Sequence, residues 1–325
     1  MIHFSTPLKK FARFICLALL FLTGLRDLKL HAQVLSLPDS SFGLNGRVAI
    51  QHGFSVSGSS GNGVRALKLY ADGRILLAAT SKPFGNQSNR EYFAGRLMPD
   101  GTPDSTFNDS ARVFINGEPN AGALYSAEIG PGNKIVLAGN RQNPFTLINE
   151  SFLVKLKADG TRDSSFGTNG LLVFSVSLIG SITEAVDARI LANEKILVTA
   201  QVRLTSGNPG LEFCLIRLNP DGSLDSEFGN NGKTFIVDPE TPDRPYRMAV
   251  QSDGKVLLAG ITTIEGVPAF KVARIREDGK IDSLFGQNGT VIIDRGTERT
   301  PNLNDLVIQD DNKILLAGNW SVNSS

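Results

Sequence analysis

The segment DSSFGTNG (163–170) returns four more times along the chain: DSSFGLNG at 39–46, DSEFGNNG at 225–232, DSLFGQNG at 282–289, and a worn copy, DSTFNDSA, at 104–111. Its phenylalanine recurs at Phe42, Phe107, Phe166, Phe228 and Phe285, at spacings of 65, 59, 62 and 57 residues. A second segment keeps step with it: DGRILLAA (72–79), GNKIVLAG (132–139), NEKILVTA (193–200), DGKVLLAG (253–260) and DNKILLAG (311–318). A third appears four times, as FAGRLMPDG from Phe93, FLVKLKADG from Phe152, FCLIRLNPDG from Phe213 and FKVARIREDG from Phe270. Three signals sharing one period near 60 residues confine the chain to architectures built by stacking a repeated unit.

Each period reads as four strands. Strand a alternates, as in ALKLY (66–70) and MAVQS (248–252). An Asp-Gly turn or a variant of it leads into strand b, whose unbroken apolar run (ILLAA, IVLAG, VLLAG) predicts burial on both faces. A loop leads to strand c, as in FLVKL (152–156), and a second Asp-Gly turn leads through the DSxFGxNG segment into strand d: RVAIQ, RVFIN, LLVFSV, KTFIVD and TVIID. From residue 33 on, nothing carries a sustained 3.6-residue apolar period. Short antiparallel strands, four per unit at even spacing, predict an all-β chain, a β-propeller of four-stranded blades with four full repeats and a partial fifth. The expected blades lie near 66–116, 123–176, 185–238 and 247–294, with a partial blade at 305–325 and an N-terminal strand at 47–51.

The first 32 residues stand apart from the repeat domain, 33–325. Lys9, Lys10 and Arg13 precede an apolar run from Phe14 to Leu25, and a polar stretch follows to Leu30-His31-Ala32. This pattern predicts a secretory signal peptide cut after Ala32; Leu30 is a poor fit for the usual small residue three positions before the cut, so a cut near Gly24 is the alternative. A retained anchor would need roughly 20 apolar residues, more than this run supplies. Cleavage at Ala32 leaves 28 basic against 31 acidic residues, a net charge of about −3 with no basic field for nucleic acid or anionic lipid. Cys16 leaves with the signal, and Cys214 alone gives neither an internal disulfide nor a cysteine metal site.

The recurring segment reads as architecture. Its Asp and Ser side chains suit the backbone N–H groups of a tight turn. Its Phe plugs the gap between neighbouring blades, and its last Gly takes positive φ before strand d. The basic residue of strand c precedes the segment's Asp by eight positions in every full copy, giving the pairs Arg96/Asp104, Lys155/Asp163, Arg217/Asp225 and Arg274/Asp282. An ion pair or hydrogen bond across the c–d turn is expected, worth at most about 1 kcal/mol if exposed. A calcium loop is the alternative for Asp221, Ser223, Asp225 and Glu227, which place oxygens at alternate positions. Against it, Gly222 falls at position two, no Glu occupies position twelve, and Lys280 and Leu284 break the pattern in another copy.

Searches for chemistry return little. After the expected cut only His52 remains among the histidines, so neither a Ser-His-Asp triad nor a multi-histidine metal site has its parts. Phosphate-cradling loops, H-E-x-x-H and G-x-S-x-G segments do not occur. No catalytic, cofactor-binding or metal-binding residue is assigned, and a glycosidase running on two carboxylates is the enzymatic alternative.

Taken together, the DGKVLLAG, RLNPDGSLD and FGxNG segments resemble the delta-60 repeat proteins, secreted bacterial chains with tandem units of this kind, over essentially all of 36–325. The resemblance implies a propeller and a location outside the cell, and it implies no reaction. Strand order places all a–b and c–d turns on one side and the irregular d–a and b–c segments on the other. The irregular segments include 52–64, 81–92, 140–151, 201–212 and 261–269. Variable loops usually carry recognition, so an extracellular glycan or protein ligand is expected on the d–a/b–c side. The sequence holds five a–b pairs and five d strands but four c strands, and its last repeat stops at GNWSVNSS inside a b–c loop. A longer natural chain with further blades or an attachment domain is therefore expected.

Overall fold

The computed structural model describes residues 39–44, 47–48, 63–81, 91–115, 122–143, 145, 149–175, 183–202, 211–237, 243–294, 296 and 299–322. The expected signal peptide, and all but the first two residues of the expected strand at 47–51, lie outside them. So do large parts of the d–a and b–c segments.

The described chain is all-β, organised as five antiparallel sheets whose strands follow one another in sequence order. Sheet 1 contains β1 (Gly63–Leu69), β2 (Ile75–Ser81), β3 (Glu91–Leu97) and β4 (Arg112–Phe114). Sheet 2 contains β5 (Ala123–Ile129), β6 (Ile135–Gln142), β7 (Asn149–Leu156) and β8 (Leu171–Phe174). Sheet 3 runs through β9 (Thr183–Ile190), β10 (Ile196–Val202), β11 (Glu212–Leu218) and β12 (Lys233–Ile236). Sheet 4 runs through β13 (Arg244–Val250), β14 (Val256–Ile264), β15 (Val267–Ile275) and β16 (Thr290–Asp294). Sheet 5 contains β17 (Arg299–Ile308) and β18 (Ile314–Val322). The single helical turn among the described residues is a 3-10 turn at Pro131–Asn133, in the first connection of sheet 2.

The second strand of each complete sheet is the core element, and its apolar run is buried on both faces as expected. One face of β6, with Ile135 and Leu137, packs on Leu76 and Ala78 of sheet 1. Its other face, with Val136 and Ala138, packs on Ile196 and Val198 of sheet 3. The same alternation carries on through Leu197 against Val256 and Leu258, then Leu257 and Ala259 against Ile314 and Leu316. A period-2 pattern with both parities apolar therefore builds two interfaces per strand, which stacks sheets face to face in a row. The first strands carry a register shift near their start in sheets 1 to 5, a bulge repeated with the unit.

The turn segments explain their own sequence. In DSSFGTNG the carboxylate of Asp163 accepts from the backbone N–H of Ser165 at 3.2 Å and from its hydroxyl at 2.6 Å. Gly167, Asn169 and Gly170 all sit at positive φ (53°, 52° and 81°), the left-handed region open to Gly and tolerated by Asn. The worn copy also takes positive φ at three residues without glycine, Asn108, Asp109 and Ala111 (φ 49°, 53° and 61°), the middle one a position earlier than Asn169 in its segment. Ala111 stores strain there, on the order of 1 kcal/mol.

Candidate functional site

The turn side of the row is a set of identical joints. Phe107, Phe166 and Phe228 are fully buried, each under a turn glycine of the following sheet. A Cβ added to Gly160 would lie 2.7 Å from the Phe107 ring, and one on Gly222 would lie 3.1 Å from that of Phe166. The residue after each Phe donates its N–H to the carbonyl of the Asp in that next turn: Asn108 to Asp159 (2.6 Å), Gly167 to Asp221 (2.8 Å), Gly229 to Asp278 (2.9 Å). The N-terminal copy does the same, Gly43 donating to Asp100 at 2.6 Å.

All four pairs at a spacing of eight are present. Arg96–Asp104 closes at 2.6 Å, Lys155–Asp163 at 3.4 Å, Arg217–Asp225 at 2.5 Å and Arg274–Asp282 at 2.8 Å. They are more buried than surface pairs, with 3% and 4% exposure at the Arg96 and Asp104 side chains. Each cation also lies over the Phe of its own segment, from 4.4 Å for Arg217 over Phe228 to 5.8 Å for Lys155 over Phe166. Three of them reach on into the next sheet, where Arg96 donates to the carbonyl of Ala158, Lys155 to Pro220 and Arg217 to Glu277. Burial pushes the Asp104 carboxyl up, but hydrogen bonds from Thr106 and Arg96 outweigh it and hold the pKa at about 2. Asp163 and Asp225 are lowered by the same contest between burial and their bonded partners.

The residues weighed for calcium are engaged in this turn chemistry. Asp221 accepts from the Ser223 N–H at 2.9 Å and hydroxyl at 2.7 Å, while Asp225 is met by Lys195 at 2.8 Å as well as by Arg217. Two cations on one carboxylate leave it little charge to offer a metal ion. An open depression of about 640 Å³ lies beside them, and two of its cations are likewise paired, Lys255 with Asp253 and Arg276 with Asp278. Burial pushes the Cys214 thiol up to about 12, which removes it as a nucleophile.

Along the first strands, Asp187 ties three sheets together. It accepts from the Ser126 hydroxyl at 2.7 Å, from Arg189 at 2.5 Å and from the Met248 backbone N–H at 3.0 Å. Glu128 extends the chain of charge, 2.6 Å from Lys68 and 3.4 Å from Arg189. The Arg189 pKa is raised because these carboxylates more than offset its burial.

The loop side differs in kind. Polar side chains outside the three recurring segments form two clusters at the strand ends, one where sheets 2 and 3 adjoin and one on the opposite face of sheet 2. Asn140, at the end of β6, donates to Glu184 of β9 at 2.9 Å and accepts from the Ala123 N–H at 2.8 Å. Gln201 of β10 donates to the other Glu184 oxygen. Arg141 lies 3.4 Å from Glu150 of β7, and Asn143 donates to Glu150 at 2.7 Å. Beside them Phe145 is 92% exposed, its backbone N–H tied to the Asn143 side chain at 2.9 Å. Sequence reasoning placed recognition on this side without naming residues. One signal was available: Glu91, Glu150 and Glu212 hold equivalent positions against the second strand, opposite Ser81, Arg141 and Val202.

Repeated four-stranded sheets, joined face to face by one recurring latch, define a β-propeller. Four stretches, 71–107, 131–166, 192–228 and 251–285, match the family described as a domain of unknown function (DUF5122) beta-propeller, and each ends on the Phe of its recurring segment. A protein of unknown function from Dyadobacter fermentans shares the fold, with a TM-score of 0.51 at 12% identity, covering 82% of this chain and 77% of that one. A mannose phosphorylase from Leishmania mexicana aligns at a TM-score of 0.41 and 12% identity, covering 82% of each chain. A levansucrase from B. megaterium aligns at 0.41 and 11%, covering 80% of each. Comparison with curated proteins found no match. Among the described residues no helix is long and apolar enough to cross a membrane, and no cluster of three metal-ligating side chains occurs.

Proposed function

We propose that this chain is a propeller-type binding and scaffold module that works outside a bacterial cell and takes an extracellular glycan or protein on its d–a/b–c loop side. One observation carries the reading: the charged residues of the recurring segments are spent inside the joints, whereas on the loop side Arg141, Asn143 and Glu150 form a cluster beside exposed Phe145. An exposed ring next to a carboxylate, an amide and a guanidinium offers stacking area with donors and acceptors at its edge, the mixture that fixes a polar ligand in place. The resemblance to secreted delta-60 repeat proteins supports the location.

The test is a screen of the exported protein against glycan and protein arrays, followed by Phe145→Ala and Glu150→Gln. Loss of the bound ligand with an unchanged melting temperature is expected for both. Binding that survives both substitutions but is lost with Lys255→Ala on the turn side would place the site on the wrong side. Hydrolysis of any glycan on the array would mark an enzyme and replace this reading.

A further inference from the structure

Several departures from the repeat meet at one joint, on the turn side between sheets 3 and 4. The open depression there, of about 640 Å³, adjoins a smaller hollow of about 270 Å³, with Asn193, Arg217 and Glu277 lining both. The preceding joints are filled or bridged at this level. Tyr70 donates its N–H to Arg74 as Leu191 does to Lys195, and its ring lies 3% exposed in the core between sheets 1 and 2, with Arg74 and Arg96 over it. Between sheets 2 and 3, Lys134 crosses to Glu194 at 2.6 Å, and Ile190 closes on Gly130, where an added Cβ would lie 2.5 Å away. Between sheets 3 and 4 the smaller Leu191 takes the tyrosine's place, and Gly254 stands where Glu194 does. Lys195 turns instead to Asp225 of its own sheet, at 2.8 Å.

Two carboxylates are peculiar to this joint. Glu227 stands where Thr106 and Ser165 bond through their hydroxyls to Asp104 and Asp163. Glu277 stands where the other c–d turns carry Pro99, Ala158 and Pro220. Both are exposed, and neither side chain makes a hydrogen bond or ion pair among the described residues. The cations around them are already matched: Lys195 and Arg217 share Asp225, Lys255 has Asp253 and Arg276 has Asp278. Four basic side chains thus face five carboxylates, a net charge of −1 that favours a cation. The hollow is walled by Leu197, Phe228 and Val256, and the amide oxygen of Gln251 beside them has no hydrogen-bond partner.

We infer that the joint between sheets 3 and 4 binds a primary ammonium carried on a short apolar stem. The stem lies in the hollow against Leu191 and Val250, and the ammonium reaches Glu277, which borders hollow and depression alike, with Glu227 adding its charge. An ammonium has three N–H donors and no acceptor, which suits two carboxylates and the Gln251 oxygen. An anionic ligand would meet the net negative rim, and an uncharged one would gain nothing from it. A free alkylamine and the lysine side chain of a peptide share this chemistry. The site lies on the side opposite the loop cluster and stands apart from the function proposed above.

The test is an amide NMR titration of the isotope-labelled exported protein with pentylammonium, with pentanol and pentanoate as uncharged and anionic matches. Saturating shifts at Leu191, Gln251 and Gly254 are expected with pentylammonium and with neither match. Glu227→Gln and Glu277→Gln alter exposed side chains, so unchanged melting curves check their fold, and each should weaken binding about fivefold, the upper worth of an exposed ion pair. Leu191→Tyr, which fills the hollow as Tyr70 fills the first joint, should remove binding, whereas Phe145→Ala should leave it unchanged. A parallel titration with a lysine capped at both ends separates the sources: tighter binding than pentylammonium marks a peptide lysine, weaker binding a free amine. Absence of saturating shifts overturns the inference, as does equal binding of pentanol or pentanoate. Pentylammonium binding that both Glu→Gln variants leave unchanged overturns it too.

Discussion

The Phe latch makes a quantitative claim that one pair of substitutions tests. Phe166 is fully buried, roofed by the Gly222 turn of sheet 3 and lying 5.8 Å from the Lys155 ammonium. Phe285 occupies the same place in its own repeat, with Arg274 at 4.5 Å, but is only partly buried because sheet 5 brings no second turn over it among the described residues. Burying a Phe side chain is worth about 1.5–3 kcal/mol in transfer alone, and truncation to Ala adds the cavity, for a total of about 3–5 kcal/mol. Phe166→Ala should therefore lower the unfolding free energy by about 3–5 kcal/mol, and Phe285→Ala by about half of that or less. The first is read by urea unfolding and by hydrogen exchange at Gly167, whose N–H bridges to Asp221 at 2.8 Å. If opening of the joint controls that amide, 4 kcal/mol corresponds to roughly a thousandfold loss of protection. Equal losses for the two variants, or less than about 1 kcal/mol for Phe166→Ala, would refute the roofed-plug account.

Two more predictions concern the buried charge of the joints. Lys155→Met leaves Asp163 without an ion-pair partner among the described residues, which should cost about 3 kcal/mol in a denaturant melt; Arg217→Met should cost clearly less, since Lys195 stays 2.8 Å from Asp225. Equal costs would show that the second cation does not compensate. Acid should loosen the fold: Asp104 titrates at about 2 when folded and, like Asp163 and Asp225, nearer 4 when unfolded, so these groups stabilise above the ordinary carboxylate range. The melting temperature should hold steady above about pH 5 and fall as pH drops from roughly 4 towards 2, and a rise in that window would contradict the pairing.

What the sequence showed and what it withheld divide along a physical line. Strand order, turn chemistry, the plugging Phe and the pairs at a spacing of eight all leave side-chain signatures, so they repeat visibly. The second duty of Arg96, Lys155 and Arg217 does not, because its partners are the backbone carbonyls of Ala158, Pro220 and Glu277, where almost any residue serves. The depth of the ion pairs was hidden for a related reason: burial of Arg96 and Asp104 comes from a sheet roughly one period away in sequence. On the loop side the repeat of Glu91, Glu150 and Glu212 was legible, but the Asn140–Glu184–Gln201 cluster was not, because these residues correspond to Thr80, Ala123 and Ile261 elsewhere and only their packing brings them together.

The latch also orders assembly in time. A Phe plug is roofed by the turn of the sheet that follows it, so a chain emerging from its N-terminus holds its newest sheet open until the next one arrives. The first sheet escapes this delay on one side, since Phe42 and Gly43 precede it and are ready when its Asp100-Gly101 turn forms. Growth of the row is then directional, with the newest Phe ring open at its C-terminal edge, and a pause during synthesis exposes one such ring at a time.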